Sequence, residues 1–485
     1  EYKYSKEEIL SKYLETAYMG NGIYGVPAAI EQYFSGGDES TLSSDQVVEI
    51  IVRLRFPNLG GSSESYRTLV SERLGYEITK NPIPKREKQV YPHMFPFLTE
   101  RIKKELNLYC KGEPSLLHHF VYEISDDLCK TSYIRLRTSI DSKASKYASD
   151  TLSAVLYPLE EKNVHNGSIY AWSETEKKVL IYIGNRHDST GNSYDMIVRK
   201  RSVGSILKPF LYLVALHGHD PNDLILDEKK IYETGNEGIS YLSENYIPKA
   251  YGPVTLKSAL GNSLNSAAVR LTEDIGVSRV FASLRSLGFD LDHDAGYYGY
   301  GIALGAIELS LESIIQGYRN IMDLTDREHF LLYDTLSDSG NRSMTFGESS
   351  ILNTSIPLAV KTGTSTDFRD NWTVGYNDEV AIGVWVGNTD GSSMDDVSGV
   401  TGAGPIYHRI AEDLIGRGYM RNNTLSVPLG VTKNSLCLDE KCFQKEITFT
   451  KTGYERKSRP ASKLFYESDF VTPLTSEEKA NWKIR

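Results

Sequence analysis

The chain has 485 residues, of which 40% are apolar and 24% charged, with a formal net charge of −10. A chain of this length and apolar content builds roughly two to four domains with cores of their own, which excludes a disordered protein. The acidic balance, without a lysine or arginine tract, excludes a nucleic-acid binder, and no apolar run reaches the roughly eighteen residues of a membrane span.

Ser5-Lys6-Glu7-Glu8 is a capping box, and Ile9, Leu10, Tyr13, Leu14 and Ala17 continue it as an apolar stripe, predicting a helix from Ser5 to Met19. Pro27 sits at a second helix start, and a third helix runs from Ser43 to Arg55 until Pro57 stops it. A proline-rich connector with a charged helix near Leu98 to Leu106 follows. A helix is expected over 142–156. Ser168 to Trp172 and Val179 to Gly184 then read as a hairpin around Glu174-Thr175-Glu176. Between Ser205 and Lys361 the periodicity is mostly helical. From Ile356 the period returns to two, with strands at Trp372 to Tyr376 and Val380 to Val386 joined by a turn at Asn377-Asp378. The segment from Val427 is strand-rich at first, near Ile447 to Phe449, and polar at its end. Four cysteines are too few for a disulfide framework. Cys110 and Cys129 read as unpaired and incidental, whereas Cys437 and Cys442 are close enough to close a small loop in an oxidising compartment.

Three motifs carry chemistry. Gly204-Ser205-Ile206-Leu207-Lys208-Pro209 reads as a glycine hinge opening a helix, with Ser205 and Lys208 one turn apart on one face and Pro209 fixing the helix start. Ser263-Leu264-Asn265 comes next, then Lys361-Thr362-Gly363-Thr364-Ser365 on an expected strand. Decoys exist: Ser476 to Lys479 for the first, Ser243-Glu244-Asn245 and Ser339-Gly340-Asn341 for the second, Lys451-Thr452-Gly453 for the third. The chosen three differ from them in their flanks.

Together the three form the signature of serine-active penicillin-recognising enzymes. With Leu211-Tyr212, Ser266-Ala267-Ala268-Val269, Tyr194-Asp195-Met196, Phe368 to Trp372 and Val384 to Asn388, the chain resembles the transpeptidase domain of class A penicillin-binding proteins, more narrowly the 1C type. Val203 departs from the family's usual proline. Lys6 to Leu14 and Ala28 to Phe34 resemble the last two motifs of the peptidoglycan glycosyltransferase domain, with Glu15 in place of the usual asparagine; the motifs that hold its catalytic glutamate have no counterpart here.

The resemblance implies an α+β multidomain chain: a helical glycosyltransferase remnant at 1–79, a connector at 80–134, a transpeptidase fold of antiparallel sheet and helices with a helical subdomain at 135–420, and a small C-terminal domain at 421–485. Ser205 is the expected nucleophile and Lys208 its base; Ser263 relays a proton, and Asn265 holds the acylated chain. Lys361 meets a substrate carboxylate with the hydroxyls of Thr362 and Thr364, Gly363 leaves room for a substrate strand, and the N–H groups of Ser205 and Thr364 form an oxyanion hole. The substrates implied are peptidoglycan stem peptides ending in D-Ala-D-Ala, with β-lactams as mimics, outside the cytoplasmic membrane. No metal or other cofactor is expected, and membrane association is expected only through sequence upstream of Glu1. Two rivals stand beside D,D-transpeptidation: a D,D-carboxypeptidase or β-lactamase-like hydrolase, and a non-catalytic muropeptide receptor or scaffold. The residues present are expected to polymerise no glycan, because Glu7, Glu8 and Glu31 are better explained by helix capping, helix dipole and a polar helix face.

Overall fold

The computed structural model describes residues 5–20, 23–34, 42–57, 59, 63–76, 95–124, 128–129, 136–186, 194–233, 240–324, 326–422, 425–434, 437–438, 441–442 and 447–450. The chain divides into two compact units, residues 1–138 and 139–485.

In the first unit, helix α1 (Lys6–Thr16) opens on the predicted capping box: the Ser5 hydroxyl accepts the Glu8 N–H, and the Glu8 carboxylate accepts the Ser5 N–H at 2.7 Å. The helix stops at Thr16, short of the expected Met19. Ala17 turns extended, and Tyr18–Gly20 pairs antiparallel with Ile23–Tyr24. Burial of Met19 against Ala29, Ile30 and Ile50 rewards this turn away from the helical path. Helices α2 (Val26–Phe34), α3 (Ser44–Arg55) and α4 (Ser63–Leu74) follow. A second capping box, Ser43 with Gln46, starts α3. No residue of α1 is buried, and Ile9, Leu10 and Tyr13 are exposed.

Helix α5 (Pro96–Cys110) covers the expected charged helix and runs one turn beyond it. Its buried Glu105 accepts the Leu116 N–H at 2.6 Å and pairs with Arg101 at 3.0 Å, which folds the following chain back along the helix. Cys110 and Cys129 thereby meet and form a disulfide. The expectation that these two thiols are unpaired is wrong, because the return of the chain spans 19 residues and leaves no local trace in the sequence. Cys437 and Cys442 stand opposite each other in a backbone ladder, and their side chains lie outside the described residues.

The second unit is built on one antiparallel sheet. The predicted helix appears as α6 (Ser142–Leu156), N-capped by Asp141, and the predicted hairpin as β1 (Asn166–Ser173) and β2 (Lys178–Ile183). From the other end of the unit come β5 (Ala359–Thr364), β6 (Asp370–Tyr376) and β7 (Val380–Gly387), giving the order β5-β6-β7-β1-β2. The β6–β7 turn is the expected one: Asn377 Oδ1 accepts the N–H groups of Glu379 and Val380. Both faces of the sheet are covered, so β6 and β7 read as near-continuous buried runs. Helices α6 and α13 (Ala403–Gly416) lie on one face and α11 (Leu311–Met322) on the other. A Cβ on Gly375 would collide with Tyr407 of α13, and one on Gly383 with Leu311 and Ile315 of α11. Trp172, Trp372 and Trp385 are fully buried in the sheet.

The block between Ser205 and Lys361 is helical, as expected, in α7 (Lys208–Leu216), α8 (Leu256–Gly261), α9 (Asn265–Ile275), α10 (Val277–Ser286), α11 and α12 (Asp326–Ser337). Short strands interrupt it, which the helical periodicity does not foretell: β3 (Leu224–Asp227) pairs with β4 (Gly252–Thr255), and Lys230–Glu233 with Ser240–Ser243. Near the C-terminus β8 (Val431–Asn434) pairs with β9 (Ile447–Thr450). Residues 451–485, with the Lys451 and Ser476 decoys, lie outside the described residues.

Candidate active site

Ser205 sits in a 3-10 turn, Gly204–Leu207, that runs directly into α7 at Lys208. The expected helix thus opens with a tighter turn, in which residues three apart eclipse and place Ser205 and Lys208 one above the other. Pro209 occupies the first turn of α7, where no intrahelical N–H is needed. The turn lies against β5: a Cβ on Gly204, whose φ is +53°, would stand 2.5 Å from the Thr364 carbonyl oxygen. A Cβ on Gly363 would stand 2.7 Å from the Val203 carbonyl oxygen and 3.0 Å from the Ile206 nitrogen. The glycine at 363 is therefore required by the serine turn packing on that strand, a different reason from the room for a substrate strand expected from the sequence.

Lys208 is fully buried. Its Nζ donates to the Ser263 carbonyl oxygen at 2.6 Å and to Asn265 Oδ1 at 2.7 Å, with Ser263 Oγ at 3.4 Å. Lys361, also buried, donates from Nζ to Ser263 Oγ at 2.8 Å and to the Thr362 carbonyl oxygen at 2.7 Å. Ser263 thus bridges the two amines, and it does so from the left-handed region, at φ +58°. Burial, and then the neighbouring Lys361 ammonium, push the Lys208 amine well below the usual lysine range, against the opposing pull of the Asp227 carboxylate. Burial pushes Lys361 down to about 7.

Strand β5 is the edge of the sheet, with β6 alone beside it. The Ser365 N–H bonds to the Asp370 carbonyl oxygen at 2.9 Å, so alternation along the antiparallel ladder turns the Thr364 N–H to the free edge. Thr364 Oγ1 accepts the Gly399 N–H at 2.9 Å, and Thr362 is buried. The Ser205 hydroxyl is partly exposed and has no hydrogen-bond partner among the described residues. All eight residues singled out from the sequence therefore lie on three adjoining pieces of chain: the serine turn, the start of α9 and the edge strand. Among the described residues no cluster of His, Cys, Asp or Glu is suited to hold a metal ion.

Sequence reasoning passed over several residues that shape the site. Asp370 accepts from Arg201 Nε at 2.7 Å and Trp385 Nε1 at 3.0 Å, and its N–H bonds to Ser365 Oγ at 2.9 Å, locking the end of the Lys-Thr-Gly strand. The Tyr318 hydroxyl donates to the Ile206 carbonyl oxygen at 2.9 Å beneath the serine turn. Asn245, treated as part of a decoy, bonds directly to the Asn265 N–H at 2.7 Å. Its Ser-x-Asn spacing was visible, but nothing local distinguishes a supporting motif from an accidental one.

A helix-covered antiparallel sheet, with a serine turn, a Ser-x-Asn and a Lys-Thr-Gly edge strand brought together, defines the class of serine-active penicillin-recognising proteins. Residues 167–321 match the family model described as penicillin binding protein transpeptidase domain, and residues 1–74 match the transglycosylase model in part. With these two domains in this order, the chain is similar to the class A penicillin-binding proteins. It is similar to penicillin-binding protein 1C of Escherichia coli, at 27% identity over 86% of this chain and 54% of that relative. It is also similar to penicillin-binding protein 1B of Vibrio cholerae, at 25% identity over 85% of this chain and 59% of that one. The chain thus spans a little over half the length of these relatives. In fold it matches penicillin-binding protein 1A of Haemophilus influenzae with a TM-score of 0.65 at 16% identity, covering 93% of this chain and 92% of that one. PonA1 of Mycobacterium tuberculosis, solved in complex with penicillin V, matches with a TM-score of 0.54 at 17% identity, over 68% of this chain and 95% of that one.

Proposed function

We propose that this chain is a serine D,D-transpeptidase that cross-links peptidoglycan stem peptides and is acylated by β-lactams. The observation that carries the reading is the set of partners around Lys208. A neutral amine has two N–H donors and one lone pair; the donors go to the Ser263 carbonyl oxygen and Asn265 Oδ1, and the lone pair is left to accept a proton. Ser205 Oγ attacks the carbonyl of the penultimate D-alanine while its proton passes to Lys208. The N–H groups of Ser205 and Thr364 receive the oxyanion, and Asn265 orients the acylated chain. Collapse breaks the peptide bond, and the leaving D-alanine takes its proton through Ser263, which stands between the two lysines. Charged Lys361, with the Thr362 and Thr364 hydroxyls, holds the substrate carboxylate. An amine from a second stem then attacks the ester, forming the cross-link and returning the proton to Ser205.

The substrate lies outside the cytoplasmic membrane, so the reading places the protein on that side, and the Cys110–Cys129 disulfide is in keeping with an oxidising compartment. Residues 1–74 are given no polymerase role. Glu8 is spent in its capping box, and buried Glu49 is held by Arg53 and Arg67. Neither of these two carboxylates stands ready as a general base. Residues 421–485 are read as a small separate domain after a transpeptidase region at 135–420.

Intact-mass analysis after exposure to a penicillin tests the proposal. One adduct per chain is expected, and none in Ser205→Ala. An adduct that persists in Ser205→Ala overturns the assignment of the nucleophile. Rapid release of the adduct favours the hydrolase reading, and no adduct on the unmutated chain favours a non-catalytic receptor.

A further inference from the structure

The first turn of α9 carries the Ser263–Asn265 end of the site, yet no side chain of its own caps it. Its orphan N–H groups are taken up by two residues from elsewhere in the chain. Asn245 Oδ1 accepts the N–H groups of Asn265 at 2.7 Å and Ser266 at 3.3 Å, and Asp227 Oδ1 accepts that of Ala267 at 3.2 Å. The two are joined: Asn245 Nδ2 donates to Asp227 Oδ2 at 2.8 Å and to the Lys249 carbonyl oxygen at 2.9 Å, and Asp227 Oδ2 also accepts the Tyr251 N–H at 2.9 Å. Backbone on either side of Asn245 reinforces the clamp, since Asn265 Nδ2 donates to the Glu244 carbonyl oxygen at 2.9 Å and Ser266 Oγ to that of Ser243 at 3.2 Å. Asp227 is fully buried and Asn245 nearly so.

We propose that Asn245 and Asp227 are positioning residues for acyl transfer, clamping the start of α9 so that the Ser263 carbonyl and the Asn265 side chain hold the Lys208 amine in place. The inference rests on the transpeptidase reading above. The clamp fixes the residues that follow Ser263, whose positive φ is a conformation that a non-glycine residue keeps only when neighbours over-determine it. Asp227 is also a buried carboxylate whose charge acts on Lys208. The charged groups that act on Lys208 are Lys361 from β5, which favours its neutral form, and Asp227 from β3, which favours its charged form. The start of α9 brings only the neutral side chains of Ser263 and Asn265.

The test follows the rate of acylation by a fluorescent penicillin as a function of pH, with folding checked by circular dichroism and thermal melting. Asn245→Ala is expected to slow acylation roughly 10- to 100-fold, the scale of a small misplacement of a reacting group. Asp227→Asn keeps the shape, removes the charge and turns one of the two accepting oxygens into a donor, so it also loosens the clamp. It is expected to move the acid limb of the profile to lower pH, because a carboxylate that held Lys208 protonated is gone. Structural loosening alone lowers the rate without moving the limb. Should Asn245→Ala fail to fold, the isosteric Asp227→Asn carries the test. A wild-type rate in folded Asn245→Ala, or an unmoved limb in Asp227→Asn, overturns the positioning role. Failure of the unmutated chain to be labelled overturns the transpeptidase reading instead.

Discussion

At Ser263 two buried amines share one hydroxyl, and charging both is costly in so dry a place. The proposed chemistry needs them in opposite states. Lys208 must be neutral to accept a proton, so acylation efficiency falls on the acid side as it protonates. Lys361 must be charged to meet a carboxylate, and burial has pushed it down to about 7, so efficiency falls again as pH rises above that value. A bell-shaped profile of acylation efficiency is therefore expected, its two limbs belonging to the coupled pair more than to either residue. Stopped-flow acylation from pH 5 to 9 checks this, and an efficiency still rising at pH 9 would show that Lys361 does not act as the carboxylate's charge. Residue identities at this scale were legible in the sequence as three motifs. The state of each amine was not, because it depends on burial and on partners 55 to 98 residues away along the chain.

The elements that carry these residues are held by close backbone approach. Gly204 combines a positive φ with a Cβ position 2.5 Å from the Thr364 carbonyl oxygen, so alanine there must both strain the backbone and push the serine turn off β5. Gly204→Ala is expected to destabilise the second unit by about 1–3 kcal/mol and to slow acylation. Gly218→Ala, with open space around it, should leave acylation unchanged. Equal acylation rates in the two variants, measured by penicillin labelling, would mean that the turn is not held by this contact. Elements with strong local signals were read well: the capping box at Ser5, the helix start at Ser43, the hairpin of β1 and β2, and the Asn377 turn. The end of α1 was misread because burial of Met19 is a tertiary gain that helical periodicity cannot register. The short strands β3 and β4 were missed because four-residue pairings carry too little alternation to stand out.

On the scale of the whole molecule, the disulfide and the candidate site belong to different units. Closing a loop of 19 residues contributes about 3 kcal/mol by constraint of the unfolded chain. Cys110→Ser is accordingly expected to lower the melting of the first unit, followed by calorimetry, and to leave penicillin acylation by the second unit at its original rate. A matching loss of acylation would show that the two units do not act separately in this respect.

The sequence by itself determined which residues could do the chemistry and which family pattern they belong to, since spacing within a helix turn or along a strand is a local property. It also set the order of the domains. Tertiary structure alone decided that Ser243-Glu244-Asn245 lies beside the chosen Ser-x-Asn and bonds to it. It likewise decided that Gly363 accommodates the serine turn and that Cys110 finds Cys129. Each of these depends on a contact between segments far apart in the chain, where burial and hydrogen-bond satisfaction outweigh any local preference.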